Sequence, residues 1–347
     1  MIRLALLGAW HVHTWMYLPR LLEAYGDAVC FTVVWDEDSV RGQSAARRLA
    51  TPFERDLNTA LRAYPVDAVI VQCRTTLHCT VVCAAAEAGK HIFCEKVLAP
   101  TLEECLRIRS AVARSGVKFM ISLDALPYGV YTFARQLIQD GALGEVGTAF
   151  VRRVHGMAYG EEGGLPDYWY NNQQTGGGVT IDLATHGTSL LLSLFGLPEI
   201  ITARMTQRLD HGQDDISTII ADFKGGIQGV AMTSFIAAHL ENHVEIIGSR
   251  GSLVITGYMG INEDRLRIYL QSDIVPGFSV PTRLSQGQIP SSSPLTIIAF
   301  IRLLSSDLLE LEGYTMQDAI RLTMMLQAAY RSAQTGASIP LTPFKLL

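Results

Sequence analysis

The sequence predicts an α/β chain of two domains: a doubly wound parallel sheet, then an α/β domain built on a large, mainly antiparallel sheet. At 347 residues the chain is longer than one core ordinarily holds. Its first third alternates short apolar runs with helical stretches, the rhythm of βαβ units. Past residue 200, apolar runs are joined by tight glycine-bearing turns, which is how hairpins read.

In chain order, strands are expected at 2–7, 29–35, 68–72, 91–94 and 118–122, with helices at 18–25, 39–49, 80–88 and 102–115. Gly89 and Gly116 stand at helix C-cap positions. Pro19 predicts a first helix that starts late or bends. The rhythm changes near Leu126, so the domains are expected at 1–124 and 125–347. A helix at 133–138, closed by Asp140-Gly141, precedes a strand at 145–153. Lys224-Gly225-Gly226 then joins runs 217–223 and 227–235, and Ser249-Arg250-Gly251 joins 244–247 and 252–255. Ser, Pro and Gly make 271–293 a long loop. Ala319, Leu322, Leu326, Ala329 and Tyr330 fall on one face of a closing helix at 315–334.

A net charge of -5 with no basic patch argues against a nucleic-acid partner. A mean hydropathy of +0.21 implies dense burial, including a subunit interface, so a homodimer or homotetramer is expected. No uncharged apolar run reaches the length of a membrane span, and 1–7 reads as a buried strand rather than a signal peptide. The six cysteines (Cys30, Cys73, Cys79, Cys83, Cys94, Cys105) lie mostly in apolar segments, which suggests reduced thiols in a cytoplasmic protein. Cys79 and Cys83 stand beside His78, but no second ligand pair has zinc-like spacing, so no metal is expected there.

Three stretches could carry chemistry. In 90–100 an apolar strand ends in Glu95-Lys96, and a lysine just past a strand's carboxyl end lies where open α/β sheets bind ligands. The first turn, Gly8-Ala9-Trp10-His11-Val12-His13, occupies the place of a dinucleotide fingerprint, but only its first glycine fits. Asp36, 28 residues after Gly8, could hydrogen-bond an adenosine ribose or cap a helix. Asp36-Glu37-Asp38 would repel a 2′-phosphate, which favours NAD over NADP, with Arg41 close by. His-x-His after a first strand can also begin a metal site in TIM-barrel hydrolases, but the later hairpins do not fit that fold. The third stretch is Gly176 to His186, in which Asp182 and His186 stand four apart on one helical face. A carboxylate beside an imidazole can fix its tautomer, as a general base requires.

Together these pieces resemble the glucose-fructose oxidoreductase, inositol dehydrogenase and rhizopine-catabolism family, Gfo/Idh/MocA. The matching residues are Gly89-Lys90-His91 leading to Glu95-Lys96, Gly141-Ala-Leu-Gly-Glu145-Val, Gly176 to His186, Asp214-Asp215, Ile247-Gly-Ser-Arg-Gly251-Ser and Tyr330-Arg-Ser-Ala-Gln-Thr-Gly336. The resemblance implies an N-terminal Rossmann domain binding NAD and a C-terminal sheet that commonly forms the oligomer interface. By position it makes Lys96, Asp182 and His186 catalytic, with Lys96 also at the cofactor and His186 also at the substrate, and puts Glu95 near the nicotinamide ribose. It sets Thr75 and His78 along the cofactor cleft beside Gly8, Ala9, Trp10, His11 and Asp36, and gives Trp169 and Tyr170 to the substrate. His155, Tyr159, Asp167, Tyr168 and Asn171 are further pocket candidates. Val97 replaces the proline of the Glu-Lys-Pro motif, so the expectation is a trans bond after Lys96. Leu123-Asp124-Ala125 lacks the family's arginine-rich stretch.

The implied activity is hydride transfer between NAD and a secondary alcohol of a sugar, inositol or related polyol. Two rivals use the same fold: a non-catalytic dinucleotide- or sugar-binding regulator, and NAD-dependent elimination or glycoside cleavage without net redox.

Overall fold

Leu4, Ala5, Leu6 and Leu7 have no solvent exposure, so β1 (Ile2–Leu7) is covered on both faces, as a continuous apolar run in a parallel sheet demands. A computed structural model describes residues 1–123, 126–156, 166–237, 242–257 and 265–341. They form two compact units, one of 1–123, 173–176 and 294–323, the other of the described residues in 124–172, 177–293 and 324–347.

In the first unit β1 leads through α1 (Thr14–Tyr25), β2 (Val29–Trp35), α2 (Ser39–Arg48), β3 (Phe53–Glu54), α3 (Leu57–Arg62), β4 (Ala68–Val71), α4 (His78–Glu87), β5 (His91–Cys94) and α5 (Leu102–Ser115) to β6 (Phe119–Ile121). All pairings are parallel, in the order β3-β2-β1-β4-β5-β6. Strand order reverses between β1 and β4, the place where such sheets bind ligands. Local chemistry fixes the helix ends. Asp38 caps α2 by accepting from Val40 N and Arg41 N, and Thr101 caps α5 by accepting from Glu104 N. Gly116 closes α5 at φ 64°. Pro19 lies inside α1, which begins at Thr14 rather than late. The two-residue β3 and the six-residue α3 were too short to show a period in the sequence.

Residues 294–323 complete this unit. The helix Thr296–Leu304 buries Ile297, Phe300 and Ile301, with the Phe300 ring centroid 5.6 Å from that of Phe93 on β5. Leu309 O accepts from Phe119 N (3.3 Å) and Tyr314 O from Ile121 N (3.1 Å), so this segment covers the open edge of β6. The sequence missed the helix because Thr-Ile-Ile-Ala-Phe-Ile-Arg-Leu-Leu is too uniformly apolar to display a period.

Continuing along the chain come α6 (Gly129–Gln139), β7 (Val146–Val154), the single turn α7 (Asn172–Thr175), α8 (Val179–Asp182), α9 (Ala184–Phe195), β8 (Ile200–Thr206), β9 (Ile216–Asp222), β10 (Gln228–Ser234), β11 (Asn242–Gly248), β12 (Gly251–Gly257), β13 (Leu266–Ser272) and β14 (Thr282–Arg283). The helix just described is α10 (Thr296–Leu304), and α11 (Met316–Thr335) and β15 (Ile339–Pro340) follow. The second unit's nine strands run β14-β13-β12-β11-β7-β10-β9-β8-β15, antiparallel except for β10 beside β7. Both glycine turns form as expected, with Phe223 N donating to Ile227 O (2.8 Å) at the first. The stretch expected as a loop from 271 instead carries the end of β13, the short β14 and a turn at Gln286–Gln288. Burial alternates along β9 and β10, leaving one sheet face half-exposed. On the other face α9 lies close. A Cβ at Gly187 would come 3.2 Å from Val151 Cγ1, and one at Gly229 3.1 Å from Leu191.

All six cysteines are free thiols, as expected. Burial holds Cys83 up at about 11 and Cys105 up at about 12, so neither ionises near neutrality. No helix among the described residues is long and apolar enough to cross a membrane.

Truncating Phe300 to Ala removes a fully buried ring that packs α10 onto the parallel sheet. The expected loss is about 3–5 kcal/mol of stability, read from urea denaturation.

Candidate functional site

Register places the first unit's candidates in one row. Leu7 pairs with both Trp35 and Val71, and Val71 with Cys94, so the next residues, Gly8, Asp36, Gln72 and Glu95, leave adjacent strands at one edge. Gly8 turns the chain at φ 88°, and a Cβ there would collide with the Cys73 backbone. Its N–H donates to Trp35 O (2.7 Å). Ala9 N donates to Asp36 Oδ2 (2.8 Å), while Trp10 N and His11 N share Gln72 O (3.1 and 3.0 Å). Trp10, standing where a second glycine was sought, is buried, and its indole N–H donates to Gln174 Oε1 (2.9 Å).

Asp36 is buried and fully engaged. Besides Ala9 N it accepts from Asp38 N (2.9 Å) and from Arg41 through two bonds, Nε to Oδ2 (2.9 Å) and Nη2 to Oδ1 (2.6 Å). Asp38, not Asp36, is the cap of α2. With two bonds on each oxygen, a ribose hydroxyl could join Asp36 only by displacing Arg41. Glu37 is held in turn by Arg74 Nε (2.8 Å), whose other nitrogen donates to Gln173 O (3.1 Å). The placement is that of a dinucleotide site, with a glycine turn after β1, an acid after the adjacent β2 and the buried Thr75 after β4, and a ribose at Asp36 would require Arg41 to move.

Glu95 has no solvent exposure and Lys96 is 3% exposed. Glu95 Oε1 lies 3.2 Å from His13 Nδ1 and 3.9 Å from His11 Nε2, and Oε2 accepts from Gln72 Nε2 (3.3 Å). The bond between Lys96 and Val97 is cis, contrary to the expected trans form. Val97 is buried, and its carbonyl oxygen faces His78 Nδ1 at 2.9 Å, which fixes this turn to α4. His78 Nε2 meets Cys73 O at 3.1 Å. With no solvent exposure, the His78 ring braces two strand-end loops rather than lining an open cleft.

In the second unit a half-buried clamp positions the other candidates. Asp214 accepts from Gly178 N (3.1 Å), Thr180 N (2.8 Å) and the Tyr330 hydroxyl (3.0 Å), and its carbonyl accepts from Val179 N (2.8 Å). A Cβ on Gly178 would meet the Asp214 carbonyl and one on Gly177 the Tyr330 hydroxyl, so the glycine run lets this clamp close. Burial and the Asp214 charge push the Tyr330 phenol up, keeping it a neutral donor. Asp214 and Tyr330 belong to the stretches that resemble the family, but the sequence assigns them no role, because nothing local links residues 116 apart.

The clamp launches α8, which ends at Asp182. Leu183 separates it from α9, so Asp182 and His186 sit on two successive helical pieces instead of one continuous helix. Asp182 Oδ2 accepts from the indole N–H of the buried Trp169 (3.3 Å), and Trp169 O accepts from Gln213 Nε2 (3.2 Å). Tyr170 stacks on His211 with centroids 4.3 Å apart, and burial raises its phenol. His155 stacks on Phe235 at 4.9 Å. Asp167 and Tyr168 form one short turn with Trp169 and Tyr170, and Asn171 follows it. Tyr159, Asp124 and Ala125 lie outside the described residues.

Burial, above all, lowers the pKa of His78. Below about pH 6.5 the unfolded chain then binds a proton that the folded ring refuses, so stability falls as pH drops through that value. His78→Gln is expected to flatten the slope of the urea midpoint between about pH 7 and 5.

Residues 2–123 match the family described as oxidoreductases with an NAD-binding Rossmann fold, and 131–254 match the GFO/IDH/MocA C-terminal domain. An uncharacterized oxidoreductase of Rhizobium meliloti is 26% identical over 275 residues, 78% of this chain and 80% of that protein. The 2,7-anhydro-N-acetylneuraminate hydratase of Escherichia coli is 27% identical, covering 69% of this chain and 63% of its own length. The scyllo-inositol 2-dehydrogenase (NADP(+)) of Bacillus subtilis is 28% identical over 58% of this chain and 55% of its own. Among solved structures, levoglucosan dehydrogenase with NADH superposes with a TM-score of 0.81 at 19% identity, covering 98% of each chain. Aldose-aldose oxidoreductase from Caulobacter crescentus gives 0.80 at 19%, over 98% of this chain and 99% of that one. Matched in both its N-terminal and its C-terminal parts, the chain belongs to the Gfo/Idh/MocA family of oxidoreductases and carries an NAD-binding Rossmann domain.

Proposed function

We propose that this oxidoreductase moves a hydride between NAD and a secondary alcohol of a sugar, inositol or related polyol. The observation that carries the reading is a buried lysine side chain, Lys96, placed directly after the carboxyl end of β5 beside the fully buried Glu95. Buried ionisable groups at the ligand edge of a parallel sheet are candidates for acid–base work. NAD, when bound, supplies the hydride acceptor. His186 then takes the proton of the substrate hydroxyl and Lys96 donates a hydrogen bond to the developing alkoxide. Asp182, tethered by the Trp169 indole, orients His186 or holds a neighbouring hydroxyl. Trp169 and Tyr170 offer apolar faces with polar edges, which suits a sugar ring.

Preference for NAD over NADP rests on Glu37 and Asp38 beside Asp36, which disfavour a 2′-phosphate. The half-exposed face of the nine-stranded sheet is the surface proposed for a homodimer or homotetramer, and the free thiols suit the cytoplasm. A second reading, elimination with no net redox, is favoured by two relatives being hydratases. It differs in yielding product without accumulating NADH.

Lys96→Met and His186→Asn are each expected to lower turnover by two orders of magnitude or more, on the order of removing a general acid or base. Calorimetry should show NAD binding retained in His186→Asn. Wild-type rates in both variants would reject these roles, and absence of NAD binding to the wild-type protein would favour a regulator instead.

A further inference from the structure

The histidine pair of the first turn does not stand alone. His11 and His13 come from the turn after β1, and Glu95 ends the neighbouring strand region two places over in the sheet. One ligand atom from each lies within 4.8 Å of the others. His13 Nδ1 and His11 Nε2 are 3.2 and 3.9 Å from Glu95 Oε1. Ligand atoms around a tetrahedral ion with bonds of about 2.1 Å are about 3.4 Å apart, so the His13–Glu95 separation of 3.2 Å already fits, the His11–Glu95 separation of 3.9 Å needs to close by about half an ångström, and the two imidazole nitrogens need to close from no more than 4.8 Å. His11 is 3% exposed and Glu95 not at all. A carboxylate so placed gains from a positive charge beside it.

The surroundings already aim the ligand atoms. Gln72 Nε2 holds Glu95 Oε2 and leaves Oε1 turned to the histidines, and the Thr14 hydroxyl stands 3.3 Å from Gln72 Oε1. The Gln72 and Thr14 contacts are of the kind that orient the ligands of metal sites. The Tyr17 hydroxyl lies 3.2 Å from His13 Nδ1, the atom that would bind the ion, and gives up that contact when the ion is bound. In the metal-free protein His11 Nδ1 accepts from His13 N at 3.2 Å, so a neutral His11 carries its proton on Nε2. An ion at Nε2 moves that proton to Nδ1 and gives up this one long bond. His13 exchanges its Nδ1 proton for one on Nε2.

We propose that His11, His13 and Glu95 form a site for one zinc-type divalent cation, with at least one coordination position left for water or a substrate oxygen. Two imidazoles and a carboxylate suit zinc, cobalt or nickel, whereas magnesium and calcium favour shells of oxygen. The proposal goes beyond the dehydrogenase reading, and its test needs no dinucleotide.

Full-length protein, stripped with a chelator and freed of nucleotide, is titrated with Co2+ and followed by visible absorption and equilibrium dialysis. One ion per chain is expected, with the intense visible bands of four- or five-coordinate cobalt and no thiolate charge-transfer band. His13→Ala and Glu95→Gln should each weaken binding on the order of a hundredfold, at the upper end of the losses seen when supporting contacts are removed, with circular dichroism unchanged. No uptake by the wild-type protein at millimolar Co2+ overturns the proposal. So does undiminished binding in both variants, or a thiolate band that places the ion on cysteines. If a variant fails to fold, the wild-type stoichiometry and spectrum decide. NADH formation by the stripped protein bears on the dehydrogenase reading alone.

Discussion

Parallel pairing of β1 with β2 and β4, and of β4 with β5, is the constraint on which the first unit depends. A parallel sheet brings all carboxyl ends to one side, and the registers here bring four of them level. Gly8, Asp36, Gln72 and Glu95 are therefore neighbours although spread over 88 positions of sequence, from 8 to 95 inclusive. Gln72 links the row from its middle. Its carbonyl holds the turn that carries Trp10 and His11, and its amide holds Glu95.

The second unit solves a related problem with a side chain. Asp214 ties the glycine run to Tyr330 on α11, and the helical pieces bearing Asp182 and His186 start from that knot. Gly187 and Gly229 then let α9 settle against β7 and β10. The backbone that presents the candidate base is thus fixed by hydrogen bonds at one end and close packing along its length.

Strands β1, β2 and β5 and helix α5 were legible to the residue, because uninterrupted apolar runs, Thr101 at the start of α5 and the glycine at 116 mark their own ends. The affiliation of 294–323 with the parallel sheet was not legible, since it depends on Phe300 meeting Phe93 across 207 positions. Asp36 was recognised as a site acid, but its bidentate Arg41 depends on a rotamer that spacing does not specify. The bond after Lys96 was misjudged because valine in place of proline argued for trans, while the buried contact between the Val97 carbonyl and His78 is tertiary. Gly8, Trp10 and His11 were read as a damaged fingerprint. All three spend their backbone amides inside the protein, and Trp10 also spends its indole N–H on Gln174, a use no motif records.

The level row of strand ends also sets how this fold can change over evolutionary time. Side chains past the row can be exchanged one at a time, because each is borne by its own turn. A residue gained or lost within β4 is another matter, since it reverses which way every later side chain of that strand points. Gln72 would leave the row, and the turn at Trp10 and the carboxylate of Glu95 would lose their shared anchor together. Diversification at this edge is therefore a matter of substitution in the turns, with the strand lengths held constant.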